Sequence, residues 1–172
     1  MNIRPVMLAS VALAALFCFP SCPCIDCEYL SEAYEPVYMT RTELEASVKF
    51  VSAKPLSNPG KIYVRTHQLF ICEPYKGVHI INNSDPRDPQ TTDFIEIPGC
   101  VDIAVLNNIL YADNAVDLVA VDLEKSEEVA REQNAFKAIA SPNGWWWTVG
   151  EDDKDKIIVG FTKKENRERG YF

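Results

Sequence analysis

The sequence predicts an all-β fold made of repeated small sheets, with one short helix near the N-terminus. Three observations predict it. First, Gly77-Val78-His79-Ile80-Ile81-Asn82 is rich in β-formers and runs straight into Asn83–Pro89, a stretch made almost wholly of turn residues. Second, the surrounding strands recur: Ile62–Val64 is answered by Ile103–Val105 and Leu69–Cys72 by Leu110–Asp113, each 41 residues on, and Gly77–Asn82 by Asp117–Asp122, 40 residues on. Third, one register with a single one-residue slip, between Cys72 and Gly77, covers all three strand pairs. A period near 40 with several short strands per unit is the pattern of β-propeller blades. One small twisted sheet cannot bury both faces alone, and packing such sheets side by side solves that. The chain is therefore read as β-propeller-like repeats, about two blades plus a hairpin.

Taken in order, Met1–Ser21 reads as a lipoprotein signal peptide. Arg4 supplies the positive end, and Val6–Phe19 is an apolar run too short to span a bilayer comfortably. Ser21 before Cys22 resembles a lipoprotein cleavage site, with Cys22 as the lipid-attached first residue of the mature chain; Phe19 and Pro20 are atypical there. An ordinary signal peptide with free cysteines is the alternative. Cys24-Ile25-Asp26-Cys27 is half of a zinc site, and no second pair follows it. A flexible tether with an optional local disulfide accounts for it more simply.

Residues 22–59 form a tether. Glu28–Tyr38 shows no period and reads as linker, and Thr42-Glu43-Leu44-Glu45 is a capping box that predicts a helix to about Val48. Val48–Val51 reads as extended, and Pro55–Gly60 is a turn-rich boundary. The partial propeller occupies residues 60–162, with repeats at 61–99 and 101–140. The first repeat has strands at Lys61–Arg65, Leu69–Glu73, Val78–Asn82 and Asp93–Ile97. The second has Val101–Val105, Ile109–Ala112 and Asp117–Asp122. Glu124–Gln133 has the composition of a helix, but blade geometry favours an outer strand over Val129–Phe136. Trp145–Val149 and Lys156–Phe161 are expected to form a hairpin across Glu151–Asp155. Residues 163–172 are a charged tail. Within the repeats, Ile80 and Ala120 are expected at one blade interface and Ile81 and Val121 at the other.

At these residues the chain resembles the LVIVD-repeat β-propeller lipoproteins of Gram-negative bacteria. The resemblance rests on Val78–Asn82 and Leu118–Asp122, on the Asn83–Pro89 turn, and on Pro98-Gly99, Val101–Val105 and Leu110–Asp113. Asn82 replaces the acidic residue that usually ends the strand and can start the same turn. The resemblance covers roughly residues 58–166. It implies a propeller fold and an outer-membrane, lipid-anchored location, periplasmic or surface-exposed. It assigns no catalytic residue, and it makes this chain a short or truncated member.

Chemistry-bearing motifs are sparse. There is no G-x-S-x-G, P-loop or H-E-x-x-H, and His67 and His79 lie in separate strand contexts. The reading therefore names no catalytic residue, no cofactor and no metal site. Asn82, Asn83, Asp85 and Asp88 offer oxygens for calcium, but Pro86 and Pro89 break the spacing and a side-chain-capped turn is the simpler account. Trp145–Trp147 read either as a carbohydrate platform or as core. Cys72 and Cys100 read as small buried hydrophobes. Across 172 residues the net charge is −8, which repels phosphate backbones and argues against a nucleic-acid partner. The expected function is an envelope lipoprotein whose partial propeller is a binding or scaffolding surface for a protein or glycan, with self-association through open blade edges. The alternatives are a glycan-active propeller enzyme and a truncated fragment of a longer propeller.

Overall fold

A computed structural model describes residues 33–144 and 155–164. The signal segment, Cys22, Cys24, Cys27, Trp145–Val149 and the tail from residue 165 lie outside the described residues. The regular structure of the described chain is almost entirely antiparallel β, with one short helix.

It begins with β1 (Tyr34–Thr40), α1 (Arg41–Glu45) and β2 (Lys49–Ser52). The next four strands are β3 (Ile62–Arg65), β4 (Gln68–Glu73), β5 (Gly77–Asn82) and β6 (Gln90–Glu96). Another four follow: β7 (Ile103–Leu106), β8 (Ile109–Asn114), β9 (Asp117–Asp122) and β10 (Glu127–Glu132). The last is β11 (Lys156–Lys163). Sheet one has the order β2-β6-β5-β4-β3, sheet two β10-β9-β8-β7, and β1 pairs with β11 alone.

Turn chemistry fixes the two meanders. Asn107 and Asn108 both take positive φ (47° and 68°) in the two-residue β7–β8 turn, which suits a tight hairpin. The one-residue slip between the repeats falls at the next turn. Pro74–Lys76 join β4 to β5, whereas only Ala115 and Val116 join β8 to β9. Gly77 has φ 143°, and a Cβ there would sit 1.9 Å from the Ile95 carbonyl oxygen, so no larger residue fits. After β5 and β9 the side chains of Asn82 and Asp122 turn the chain. Asn82 Oδ1 accepts from the Ser84 amide at 3.0 Å, and Asp122 Oδ1 accepts from the Glu124 amide at 2.9 Å. Asp85 Oδ1 likewise accepts from the Arg87 amide at 3.0 Å. Both outer pairs, β5–β6 and β9–β10, carry a bulge.

The core lies between the two sheets. Phe70, Cys72, Val78, Ile80 and Ile95 of sheet one meet Val105, Leu110, Ala112, Val119 and Val121 of sheet two. Burying each large apolar side chain contributes about 1.5–3 kcal/mol. The parity of these contacts is informative. Val78 and Ile80 occupy the register of Leu118 and Ala120, yet the residues that meet them are Val119 and Val121. Opposite faces of the two sheets are therefore in contact, a head-to-tail arrangement rather than a two-fold one. Tyr63 and Val105 mark the same contact at the inner strands, where the Tyr63 hydroxyl donates to the Val105 carbonyl at 2.7 Å. A second small cluster, Leu44, Ala115 and Val159, ties α1 and the β1–β11 pair to the β8–β9 turn.

Four expectations are corrected. Tyr34–Thr40 is a strand and not linker, and Lys156–Lys163 is the strand it pairs with. Its local signal is weak because Glu35 and Pro36 are poor strand formers and the partner is more than a hundred residues away. The helix is capped two residues early: Thr40, not Thr42, is the N-cap, its hydroxyl accepting from the Glu43 amide while the Glu43 carboxylate accepts from the Thr40 amide at 2.8 Å. The outer strand of sheet two is Glu127–Glu132 instead of Val129–Phe136, because the Asp122 turn sets Glu127 directly opposite Asp122. Sheet one extends across the expected boundary at Pro55–Gly60, since β2 pairs with β6 as its outermost strand.

Candidate functional site

Three regions of the described residues concentrate polar groups or exposed apolar surface. The first is the face of sheet one that turns away from sheet two. β2 and β3 lie at opposite edges, so residues 53–61 must cross this sheet. They cross at the β4–β5 hairpin end. Lys54 Nζ lies 5.0 Å from the Phe94 ring centroid, and the Gly60 amide donates to the Cys72 carbonyl at 2.7 Å. Beneath this strap lie Glu73 and His79, both buried. His79 Nε2 is 2.8 Å from Glu73 Oε2, Lys76 Nζ donates to Oε1 at 2.6 Å, and the Ser57 hydroxyl donates to the same oxygen. Burial pushes the Glu73 carboxyl up, but the hydrogen bonds from Lys76, Ser57 and His79 outweigh it and hold it at about 2. The His79 ring packs 4.6 Å from that of Phe94, and its Nδ1 is buried without a partner among the described residues.

The second region is a buried ionic node at the hairpin end of sheet two. Asp117 is fully buried. Arg41 of α1 donates to both its oxygens at 2.8 and 2.7 Å, Arg131 of β10 donates to Oδ2 at 2.8 Å, and the Asn134 amide donates to Oδ1 at 3.0 Å. Desolvation opposes its charge, but the Arg41, Asn134 and Arg131 hydrogen bonds win and lower its pKa. Arg131 also grips Glu128 through two hydrogen bonds at 2.9 and 2.8 Å and reaches the Asn114 side chain at 2.8 Å. Asn114 donates to the Pro98 carbonyl at 2.6 Å. Each oxygen of Asp117 already accepts two hydrogen bonds, so this carboxylate has little capacity left for a substrate or a metal. The node fastens α1 and β10 onto sheet two.

The third region is the outer face of sheet two. Leu106 is 62% exposed and Tyr111 37%, with Ala104 exposed and Leu118 and Ala120 half-buried beside them. By the repeat register these positions answer Arg65, Phe70, Tyr63, Val78 and Ile80. Four of those five, Arg65 being the exception, pack in the inter-sheet core of sheet one. The sheet-two face is thus built like an interior surface and carries apolar side chains in the open.

A cleft of about 620 Å³ opens beside the β4–β5 turn, lined by Tyr34, Met39, Tyr75, Pro98, Val159 and Phe161 among others. The Tyr75 and Phe161 rings meet edge to face with centroids 6.1 Å apart. Among the described residues the lining includes two lysines, Lys76 and Lys163.

Sequence reasoning placed Asn82 and Asp85 correctly in turns that their own side chains cap. It missed that His79 meets Glu73, that Cys72 meets Cys100, and that Arg41 reaches Asp117. Apart from Glu73 and His79, six residues apart on adjacent strands, these partners are far apart in the chain, so no local pattern announces them. Among the described residues no group of three or more His, Cys, Asp or Glu side chains is placed to hold a metal ion, and no helix is long and apolar enough to cross a membrane. No protein-family model, no curated protein and no solved structure matches the chain.

Proposed function

We propose that this chain is an envelope lipoprotein, attached to the outer membrane through Cys22, in which the two stacked sheets are successive blades of a partial propeller of the LVIVD-repeat kind. Its outer sheet-two face is a scaffolding surface that docks on a second copy of the chain. The observation that carries this reading is the head-to-tail parity of the core together with the exposed Leu106 and Tyr111. In a propeller each blade presents one face to the blade before and the other to the blade after. Sheet two has no following blade among the described residues, so its outer face is an unpartnered counterpart of the face that sheet one buries in the core.

The occupant follows from what happens at the other end. A copy adding head-to-tail would place that face on the outer face of sheet one, where the residue 53–61 strap already lies. Association through the two sheet-two faces about a two-fold axis avoids the strap and closes as a dimer instead of growing into a fibre.

The test uses the full chain in detergent. Sedimentation should give a dimer for the parent and a monomer for Leu106→Glu combined with Tyr111→Glu. A monomeric parent, or a dimer untouched by these substitutions, would refute the docking surface. Detergent phase partitioning checks the anchor separately: Cys22→Ser should move the protein to the aqueous phase, and retention in the detergent phase would refute lipid attachment.

A further inference from the structure

We propose that Cys72 and Cys100 are a disulfide-forming pair that locks sheet one to the chain entering sheet two. This inference stands on the placement of two sulfurs and not on the anchored, dimeric reading above. Cys72 lies on β4 and points into the inter-sheet core; Cys100 lies in the link between β6 and β7. Both side chains are fully buried, and their Sγ atoms are 3.6 Å apart. That is hydrogen-bonding distance for two thiols and leaves about 1.5 Å to close to a bond.

The backbone around the pair is held on both sides. The Tyr75 amide donates to the Cys100 carbonyl at 2.7 Å, and the Cys100 amide donates to the Ile97 carbonyl at 3.1 Å. On the far side Asp113 Oδ1 accepts from the Val101 and Asp102 amides at 2.8 Å each. Asp113 is the register counterpart of Cys72, so the same strand position serves the same link from each sheet. The fold itself therefore brings the two sulfurs face to face. The four remaining cysteines all lie between residues 18 and 27, outside the described residues.

The chemistry is thiol–disulfide exchange. The thiolate of one cysteine attacks a sulfur of an external disulfide, either oxidised glutathione or an oxidised protein dithiol, and expels one thiolate. The second cysteine, losing its own proton, attacks the mixed disulfide and expels the other. Two protein thiols lose two protons and two electrons; the external disulfide gains both and leaves as two thiols. The hydrogen bond with Cys72 and burial push the Cys100 thiol well up, so exchange in the closed fold is slow and the bond forms while the sheets are apart.

The experiment treats the full chain with oxidised glutathione during refolding, denatures it without reductant, alkylates free thiols and maps the peptides. The expected result is a Cys72–Cys100 linked peptide and loss of alkylation at both positions, with full alkylation restored by dithiothreitol. The melting midpoint of the oxidised chain should exceed that of the reduced chain by roughly 5–10 °C. Full alkylation of both residues after oxidation, or linkage of either to a cysteine in the 18–27 run, would overturn the proposal. A linked species that melts no higher than the reduced one would overturn the locking role. Mapping is done on the native sequence, so the outcome does not depend on any substituted chain folding.

Discussion

The two sheets share a four-strand meander, yet among the described residues only sheet one has central strands covered on both faces, and even there Ile62 and Val64 of the edge strand β3 stay exposed. In β5 of sheet one, Val78 and Ile80 are buried against sheet two, and His79 and Ile81 are buried on the opposite side. In β9 of sheet two, Val119 and Val121 are fully buried, while Leu118 and Ala120 are only half-covered. The difference comes from chain that lies outside the repeat. Sheet one has an extra strand, β2, and a strap from residue 53 to 61. Sheet two has α1 clamped to its hairpin end by Arg41 and, among the described residues, nothing equivalent across its outer face.

The sharpest way to break this comparison is to place the same charge at register-equivalent positions. Ile80→Asp would bury an unpaired carboxylate in the inter-sheet core and should cost several kcal/mol, comparable with the whole stability of a small domain. Ala120→Asp, at the matching position, lands on a face that a single chain leaves half-covered, and in the monomeric Leu106→Glu, Tyr111→Glu background it should cost about 0.5 kcal/mol or less. Urea unfolding of both variants checks this; equal losses would mean that the two faces are equally covered. Ile81→Asp should resemble Ile80→Asp, because β5 is buried on both faces.

The ionic node is the next test. Removing Asp117 leaves the largely buried Arg131 guanidinium without one of its carboxylates and frees Arg41 from sheet two. Asp117→Ala should cost about 3–5 kcal/mol by denaturant titration. Register assigns Gly77 to the corresponding place in sheet one, where the fit is set by backbone proximity instead of charge. A loss below about 1 kcal/mol would show that the node does not hold α1 in place.

These contrasts separate what the sequence made legible from what it did not. The three-strand register was legible because hydrophobic periodicity and turn residues are local: Asn82 and Asp122 announce their own turns. The head-to-tail parity was not, because alternation along a strand shows that two faces exist and not which face meets which neighbour. Expecting Ile80 and Ala120 on one face and Ile81 and Val121 on the other was right as register, but the contact itself joins Ile80 with Val121. The strand at Tyr34–Thr40 was hidden for a related reason, since its β-character is supplied by Lys156–Lys163 and not by its own residues. Glu127–Glu132 carries helix-favouring residues that the hairpin geometry overrides. Of the site, the turn-capping oxygens were readable; the long-range partners of Cys72 and Asp117 depend on topology.

Acid sharpens the comparison further. Glu73 is held at about 2 in the folded chain, below the ordinary glutamate value near 4.5. A depressed carboxyl contributes stability that is fully present above the unfolded value and is lost as pH falls toward the folded one. Between about pH 4.5 and 2 the parent should therefore lose stability that Glu73→Gln does not lose. The difference should be about 1–2 kcal/mol, reduced from the full linkage because the Lys76 ammonium that helps to set it is solvent-screened. Parallel pH profiles for the two proteins would show that the hydrogen bonds under the strap do not hold the Glu73 carboxylate ionised.

The smallest effect is expected at Glu96, which sits at the rim of the covered face of sheet one. Its carboxylate meets Lys54 at 2.5 Å, but the side chains are 35% and 47% exposed. Exposed pairs of this kind contribute about 0–1 kcal/mol, because water screens the attraction and both side chains lose rotamer freedom. Lys54 also lies over the Phe94 ring, so repelling it from residue 96 costs some of that contact as well. Glu96→Lys should therefore lower stability by less than about 1 kcal/mol, and most of that loss should vanish in high salt. If the strap were held mainly by this ion pair, the substitution would peel it from sheet one, and protease cleavage within residues 53–61 would rise sharply. Unchanged cleavage would place the hold of the strap in the buried Ser57–Glu73 contact and the Gly60 and Lys61 backbone bonds to Cys72, which the substitution leaves intact.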